Sequence, residues 1–181
     1  MVSTDIGNVC SVSNSYLGFE EPKSFLAAMS WGNCGYAMPA AMGAKVGQPD
    51  RPAIAYVGDG AWGMSLTEVM TCVREQIPVV AVVFENQQWG AEQRNQLDFF
   101  DGRCVATDLD NPSFSKIARA MGASGISVGH ADQVGDALQA AVASNKPTVL
   151  ELHLTRDLSE PFRRDAFRPQ PLRLLEKYQT L

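Results

Sequence analysis

The sequence predicts an α/β fold, a three-layer αβα arrangement around a doubly wound parallel sheet of about six strands. Three observations carry this expectation. The short runs Ala53–Val57 and Val79–Phe84 are continuously apolar rather than alternating, as strands covered on both faces are. Segments of helical period separate such runs. Turns rich in glycine or amide side chains, Gly58-Asp59-Gly60 and Glu85-Asn86-Gln87-Gln88, follow directly on the two strongest runs.

Taken in order, the opening "MVSTDI" and Ser24–Met29 read as strands. "GYAMPAAMGAKVG" reads as a helix whose small residues permit close packing or a nearby ligand. After the Ala53 strand, Ser65-Leu66-Thr67-Glu68 has the pattern of a capping box. Leu66, Val69, Met70 and Val73 then form one apolar stripe, ended by Gln76-Ile77-Pro78. Beyond the Val79 strand, Asn111 stands at a cap position with Pro112 in the first turn. Phe114, Ile117, Ala118 and Met121 continue as a stripe until Gly122. Gly125–Gly129 is a weaker strand, Val134, Leu138, Ala141 and Val142 a further helical stripe, and Thr148–Leu154 a last strand. His130 precedes a helix and His153 sits within a strand, so both are expected in structural roles away from the site.

Composition narrows the function. The chain has 181 residues, 45% apolar and 19% charged, with net charge −5. That is enough for a hydrophobic core and offers no basic face for nucleic acid. No apolar run is long enough to span a membrane. The start lacks the basic and apolar segments of a signal peptide. Cys10, Cys34, Cys72 and Cys104 are widely spaced and form no CxxC, which reads as reduced thiols in a cytoplasmic protein rather than a zinc site. A core strand immediately after Met1 suggests a fragment of a longer chain, or one subunit of a split enzyme. Residues 1–155 are read as one ligand-binding domain. Residues 156–181 are read as a C-terminal extension packed on it or on a partner, holding six of the 15 basic residues and three of the 10 prolines.

In a doubly wound sheet ligands sit beyond the carboxyl ends of the strands. A single right-handed βαβ unit carries the chain from Asp59 through a helix and back along the Val79 strand. Asp59 and Asn86, 27 positions apart, therefore meet at one rim. A carboxylate and an amide oxygen make a hard oxygen site suited to Mg²⁺ or Ca²⁺. The helix N-terminus beside it offers free N–H groups to phosphate. Gly58, Gly60 and Gly63 also match a dinucleotide-type G-x-G-x-x-G, although the acidic residue that such a site places on a ribose has no candidate except Glu85.

Gly-Asp-Gly, a helix and an Asn 27 positions after the Asp together resemble the motif of the thiamine-diphosphate enzymes. The resemblance implies the thiamine-diphosphate-binding fold, with Mg²⁺ held by the Asp59 and Asn86 side chains and the Gln88 main-chain carbonyl. It places Gly58, Gly60, Ala61, Trp89 and Gly90 around the diphosphate. Upstream, "MSWGNCGYAMPAAMGAKVG" is similar to the matching segment of acetolactate-synthase-like enzymes. There Cys34 falls where a bulky residue, usually Met, props the cofactor, and Gly32 supplies a backbone contact to its pyrimidine. "STDIGN" resembles a first diphosphate-side loop, with Ile6, Gly7 and Asn8 near the phosphates.

Within that superfamily "NQQWGAEQRNQLDFF" and the tail "DLSEPFRRDAFRPQPLRLLEKY" look most like the sulfoacetaldehyde acetyltransferase branch. This implies conversion of sulfoacetaldehyde and phosphate to acetyl phosphate and sulfite, with the cofactor as electron sink. It implies that no catalytic residue lies on this chain. The activating Glu belongs to a pyrimidine-binding domain or subunit, acting across a dimer interface in a homo-oligomer, and without it the chain is expected to have no turnover. Arg94, Arg163 and Arg164, with Gln93, Asn95 and Gln96, are candidates to meet a small anionic substrate or phosphate. The alternatives are an acetolactate-synthase-like enzyme, the β subunit of a split sulfopyruvate or phosphonopyruvate decarboxylase, and a non-catalytic interaction module that keeps the fold.

Overall fold

The computed structural model describes residues 1–157, and the expectations for Arg163 and Arg164 lie outside them. Six strands form one sheet: β1 (Val2–Thr4), β2 (Phe25–Ala27), β3 (Ala53–Gly58), β4 (Val79–Glu85), β5 (Ser124–Val128) and β6 (Thr148–His153). Their order is β2-β1-β3-β4-β6-β5, and every neighbouring pair is parallel. The continuously apolar β4 lies near the middle of the sheet, the position its pattern requires.

Side-chain alternation splits the core into two layers. On one face Ala55, Val57, Ala81 and Val83 pack with Met38, Val69, Cys72, Phe114 and Ala118. These come from α2 (Ala37–Gly47), α4 (Glu68–Arg74) and α6 (Phe114–Ala120). On the other face Val80, Val82, Leu150 and Leu152 pack with Ala141 and Leu138 of α7 (Val134–Ala143). A short helix, α3 (Asp59–Trp62), starts at the end of β3.

Two helices went unread in the sequence. They are α1 (Asn8–Tyr16) and α5 (Gly90–Phe99), the latter starting just after β4. Only Cys10 and Ser13 of α1 are buried, and α5 fully buries nothing. α5 has no apolar stripe for a periodicity argument to find, and the short one of α1, Val9, Val12 and Tyr16, faces a cavity rather than the core.

The capping box at Ser65 does not form. The chain from Ala61 to Met70 turns mostly through i→i+3 hydrogen bonds, and α4 begins only at Glu68, with no side-chain cap. The Ser65 hydroxyl is buried without a partner among the described residues. With the helix starting late, Val69 faces the core and Met70 is 50% exposed. Asn111 is not a cap either. Ser113 caps α6, its Oγ accepting from the Lys116 N–H. Glu151 of β6 reinforces that end: its carboxylate accepts from the Phe114 N–H at 2.8 Å, the Ser115 N–H at 3.2 Å and the Ser113 hydroxyl at 3.0 Å. A negative group on helix N–H donors is favourable there.

Candidate functional site

The ends of β3 and β4 are in register, Gly58 opposite Phe84, so the residues that follow them emerge side by side. Asp59 is 3% exposed. Its Oδ1 accepts from the Gly60 N–H at 2.9 Å, and its Oδ2 accepts from the Asn86 N–H at 3.2 Å. The expected meeting of Asp59 and Asn86 is therefore present. Burial pushes the Asp59 carboxyl above its ordinary value, against the pull of backbone N–H groups from Gly60 and Asn86 to Gln88. A cation beside it would relieve that cost.

A third partner was missed in the sequence. Asn111 Nδ2 donates to Asp59 Oδ2 at 2.9 Å. A residue in a cap position before a proline gave no signal of this contact.

The loop after β4 is held on a second strip of chain. The Trp89 N–H donates to the Thr107 carbonyl at 2.8 Å, and the Leu109 N–H donates to the Gln87 carbonyl at 3.0 Å, with Gln88 opposite Asp108. The Gln87 carbonyl is thereby used, while the Gln88 carbonyl accepts no hydrogen bond among the described residues. Carboxylate, amide oxygen and free carbonyl are the donors that small hard cations take.

Glycine is required at one position around this point and fits closely at a second. A Cβ on Gly60 would lie 2.7 Å from Trp89 Cε3, so the indole packs where any side chain would stand. A Cβ on Gly90 would come within 3.1 Å of Asn8 Nδ2 and 3.5 Å of the Asn86 and Gln88 amide nitrogens. The Asn8 and Asn86 amides thus border the first residue of the ten-residue α5, a setting that suits phosphate oxygens. The residues fit a metal-bound diphosphate.

One cavity of about 1070 Å³ opens over this rim and runs across the second face of the sheet towards Tyr56, Val82 and Leu138. Ile6, Gly7 and Asn8 line it from one side, and Gly32 and Cys34 from the loop before α2. Gly58, Asp59, Gly60, Ala61, Asn86, Gln88, Trp89 and Gly90 form its floor and wall. Every residue that the thiamine-diphosphate resemblance assigns to the cofactor or metal faces this one space. Burial, with the nearby Asp5 and Glu92 charges, raises the Cys34 thiol, so it stays neutral.

The substrate candidates divide. Arg94 lines the cavity, but its guanidinium is paired with Asp98 at 2.8 Å. Asn95 also lines it. Gln96 is spent on the Val105 backbone, accepting from its N–H at 2.5 Å and donating to its carbonyl at 3.2 Å. His153 stays outside the cavity, in a structural role. It ends β6, its Nδ1 hydrogen-bonded to Glu85 Oε2 at 3.1 Å and its Nε2 to Ser127 Oγ at 2.7 Å. Glu85 is therefore turned to His153 and does not line the cavity, which removes it as a ribose ligand.

The family model for the thiamine pyrophosphate enzyme, C-terminal TPP binding domain, matches residues 5–152. The sulfoacetaldehyde acetyltransferase of Castellaniella defragrans is 61% identical over 183 residues, which is 99% of this chain and 30% of that protein. Its counterpart in Alcaligenes xylosoxydans xylosoxydans is 60% identical over the same shares. Acetolactate synthase isozyme 2 large subunit of Escherichia coli (strain K12) is 32% identical across 85% of this chain and 28% of that protein. The chain thus spans about 30% of the length of the two acetyltransferases.

Proposed function

The chain belongs to the thiamine pyrophosphate enzymes, in their C-terminal TPP-binding domain, and from that premise we propose that it is the cofactor-anchoring part of a sulfoacetaldehyde acetyltransferase. The whole protein would convert sulfoacetaldehyde and phosphate to acetyl phosphate and sulfite. The observation that carries this reading is the 61% identity to such an enzyme along 99% of the chain. The acetolactate synthase match, at 32%, stands well below it.

In this reading Asp59, Asn86 and the Gln88 carbonyl hold Mg²⁺, with diphosphate oxygens completing its shell. The Asn8 amide and the N-terminus of α5 meet the diphosphate. Ile6, Gly7, Gly58, Gly60, Ala61, Trp89 and Gly90 shape the walls, and Gly32 and Cys34 border the ring-bearing part. The bound cofactor supplies the electron sink for cleavage next to a carbonyl. This chain binds, orients and excludes water. The activating carboxylate comes from a pyrimidine-binding domain or subunit, in a homo-oligomer.

The domain is proposed to run over residues 1–155. The segment 156–181 is proposed as an extension packed on it or on a partner, which the contacts of its first residue support. Arg94, Arg163 and Arg164 remain proposed anion contacts, Arg94 only after release from Asp98. Among the described residues Cys10, Cys34, Cys72 and Cys104 form no disulfide, which supports a reducing, cytoplasmic setting.

The test is product analysis with the complete protein. Acetyl phosphate and sulfite from sulfoacetaldehyde and phosphate are expected. Acetolactate from pyruvate, with no sulfite release, would assign the acetolactate-synthase-like alternative.

A further inference from the structure

Arg156 follows β6 and reaches across to the loop that carries the proposed metal carbonyl. Its Nε–H donates to Gln88 Oε1 at 3.2 Å. Its Nη2 donates to the Gln87 carbonyl at 3.1 Å and also to Asp108 Oδ1. In return, its own carbonyl accepts from Gln88 Nε2 at 3.0 Å. One guanidinium thus joins three pieces of chain: the loop after β4, the strip that pairs with it, and the end of β6.

The loop needs such a brace. Gln87 has φ +55°, a left-handed conformation that costs a residue with a side chain about 1 kcal/mol. Gln88 is 4% exposed, so its amide must be satisfied from within the protein. Arg156 satisfies it at both ends, oxygen from the side chain and nitrogen through the main chain. With the Gln88 side chain fixed and the Gln87 carbonyl taken, the peptide between Gln88 and Trp89 is held with its oxygen free. Planarity and five N–H donors let arginine bridge three acceptors, and an ammonium cannot reproduce that fork.

We propose that Arg156 is a positioning residue for the metal loop: it sets the Gln88 carbonyl and so determines how tightly the metal, and with it the cofactor, is held. The proposal rests on the reading of Asp59, Asn86 and Gln88 as metal donors. It touches neither metal nor substrate, and acts through Gln88.

The test is the Mg²⁺ concentration for half-maximal thiamine diphosphate binding, in the complete protein, followed by calorimetry and by the fluorescence of the tryptophans. Removing partners that orient metal ligands typically costs about 10- to 100-fold in affinity. Arg156→Met is expected to raise the half-saturating Mg²⁺ at least about tenfold, with binding restored at high Mg²⁺. Arg156→Lys is expected to behave like Arg156→Met rather than rescue. Asp108→Asn, which keeps an acceptor but removes the charge that aims the guanidinium, is expected to fall between. It serves as the test should Arg156→Met not fold. A purely structural brace would lower the thermal midpoint and leave the Mg²⁺ requirement unchanged, and that result in Arg156→Lys and Asp108→Asn overturns the proposal. If the unmodified protein binds thiamine diphosphate with no Mg²⁺ requirement, the metal-site reading itself has failed.

Discussion

The Asn86 N–H donates to Asp59 Oδ2 at 3.2 Å, joining two residues 27 positions apart at the carboxyl ends of adjacent parallel strands. A strand-helix-strand unit of that length returns the chain to the same rim, so the contact follows from topology. The two residues sit beside Gly60, which has no room for a side chain against Trp89, and line one cavity with Asn8.

Gly60→Ala tests the closeness of that packing. The new methyl group would lie 2.7 Å from the Trp89 ring, a rigid neighbour that must move. A destabilisation of about 1–3 kcal/mol is expected, with a changed tryptophan emission spectrum and loss of thiamine diphosphate binding. Thermal denaturation and fluorescence read the first two, and calorimetry the third.

Asn111 and Ser113 stand two positions apart but serve different ends. Asn111 donates to Asp59, while Ser113 caps α6. Ser113→Ala is expected to cost about 1 kcal/mol of stability and to leave Mg²⁺-dependent cofactor binding unchanged. Asn111→Ala is expected to weaken that binding about tenfold with little change in thermal midpoint. Exchange of the two outcomes would restore the cap role that its sequence position suggests.

Glu151 links β6 to α6 and gives a pH signature. Burial pushes its carboxyl up, but hydrogen bonds from the Ser115, Phe114 and Ser113 groups outweigh this and hold it below its ordinary value. A depressed folded pKa stabilises the fold above the unfolded value. That contribution disappears as pH falls through the folded value. Glu151→Gln is therefore expected to lose on the order of 2 kcal/mol near neutrality and to depend less on pH during acid unfolding than the parent. Denaturant titrations at a series of acidic pH values measure both.

What the sequence made legible follows the physics of each signal. The strands β3, β4 and β6 and the helices α2, α4, α6 and α7 bury apolar residues, and their patterns are visible in the order of residues. The helices α1 and α5 bury almost nothing apolar and were invisible for that reason. The Asp59–Asn86 pair was legible because one βαβ unit determines it. Asn111 to Asp59 and Arg156 to Gln88 span 52 and 68 positions. They depend on how separate units pack, which no local pattern encodes. His153 keeps the structural role expected of it, joining Glu85 and Ser127 at the end of β6 without lining the cavity.

The rim of β3 and β4 is proposed to hold thiamine diphosphate through a metal on Asp59. Calorimetric titration of the complete protein with thiamine diphosphate, with and without Mg²⁺, tests it directly when paired with Asp59→Ala. The parent is expected to bind at least about 100-fold more tightly with Mg²⁺ than in chelator, a loss at the upper end of that seen for partners lying beyond the ligands themselves. Asp59→Ala is expected to show weak binding that Mg²⁺ does not improve. Equal affinity in parent and variant, indifferent to Mg²⁺, would contradict the account.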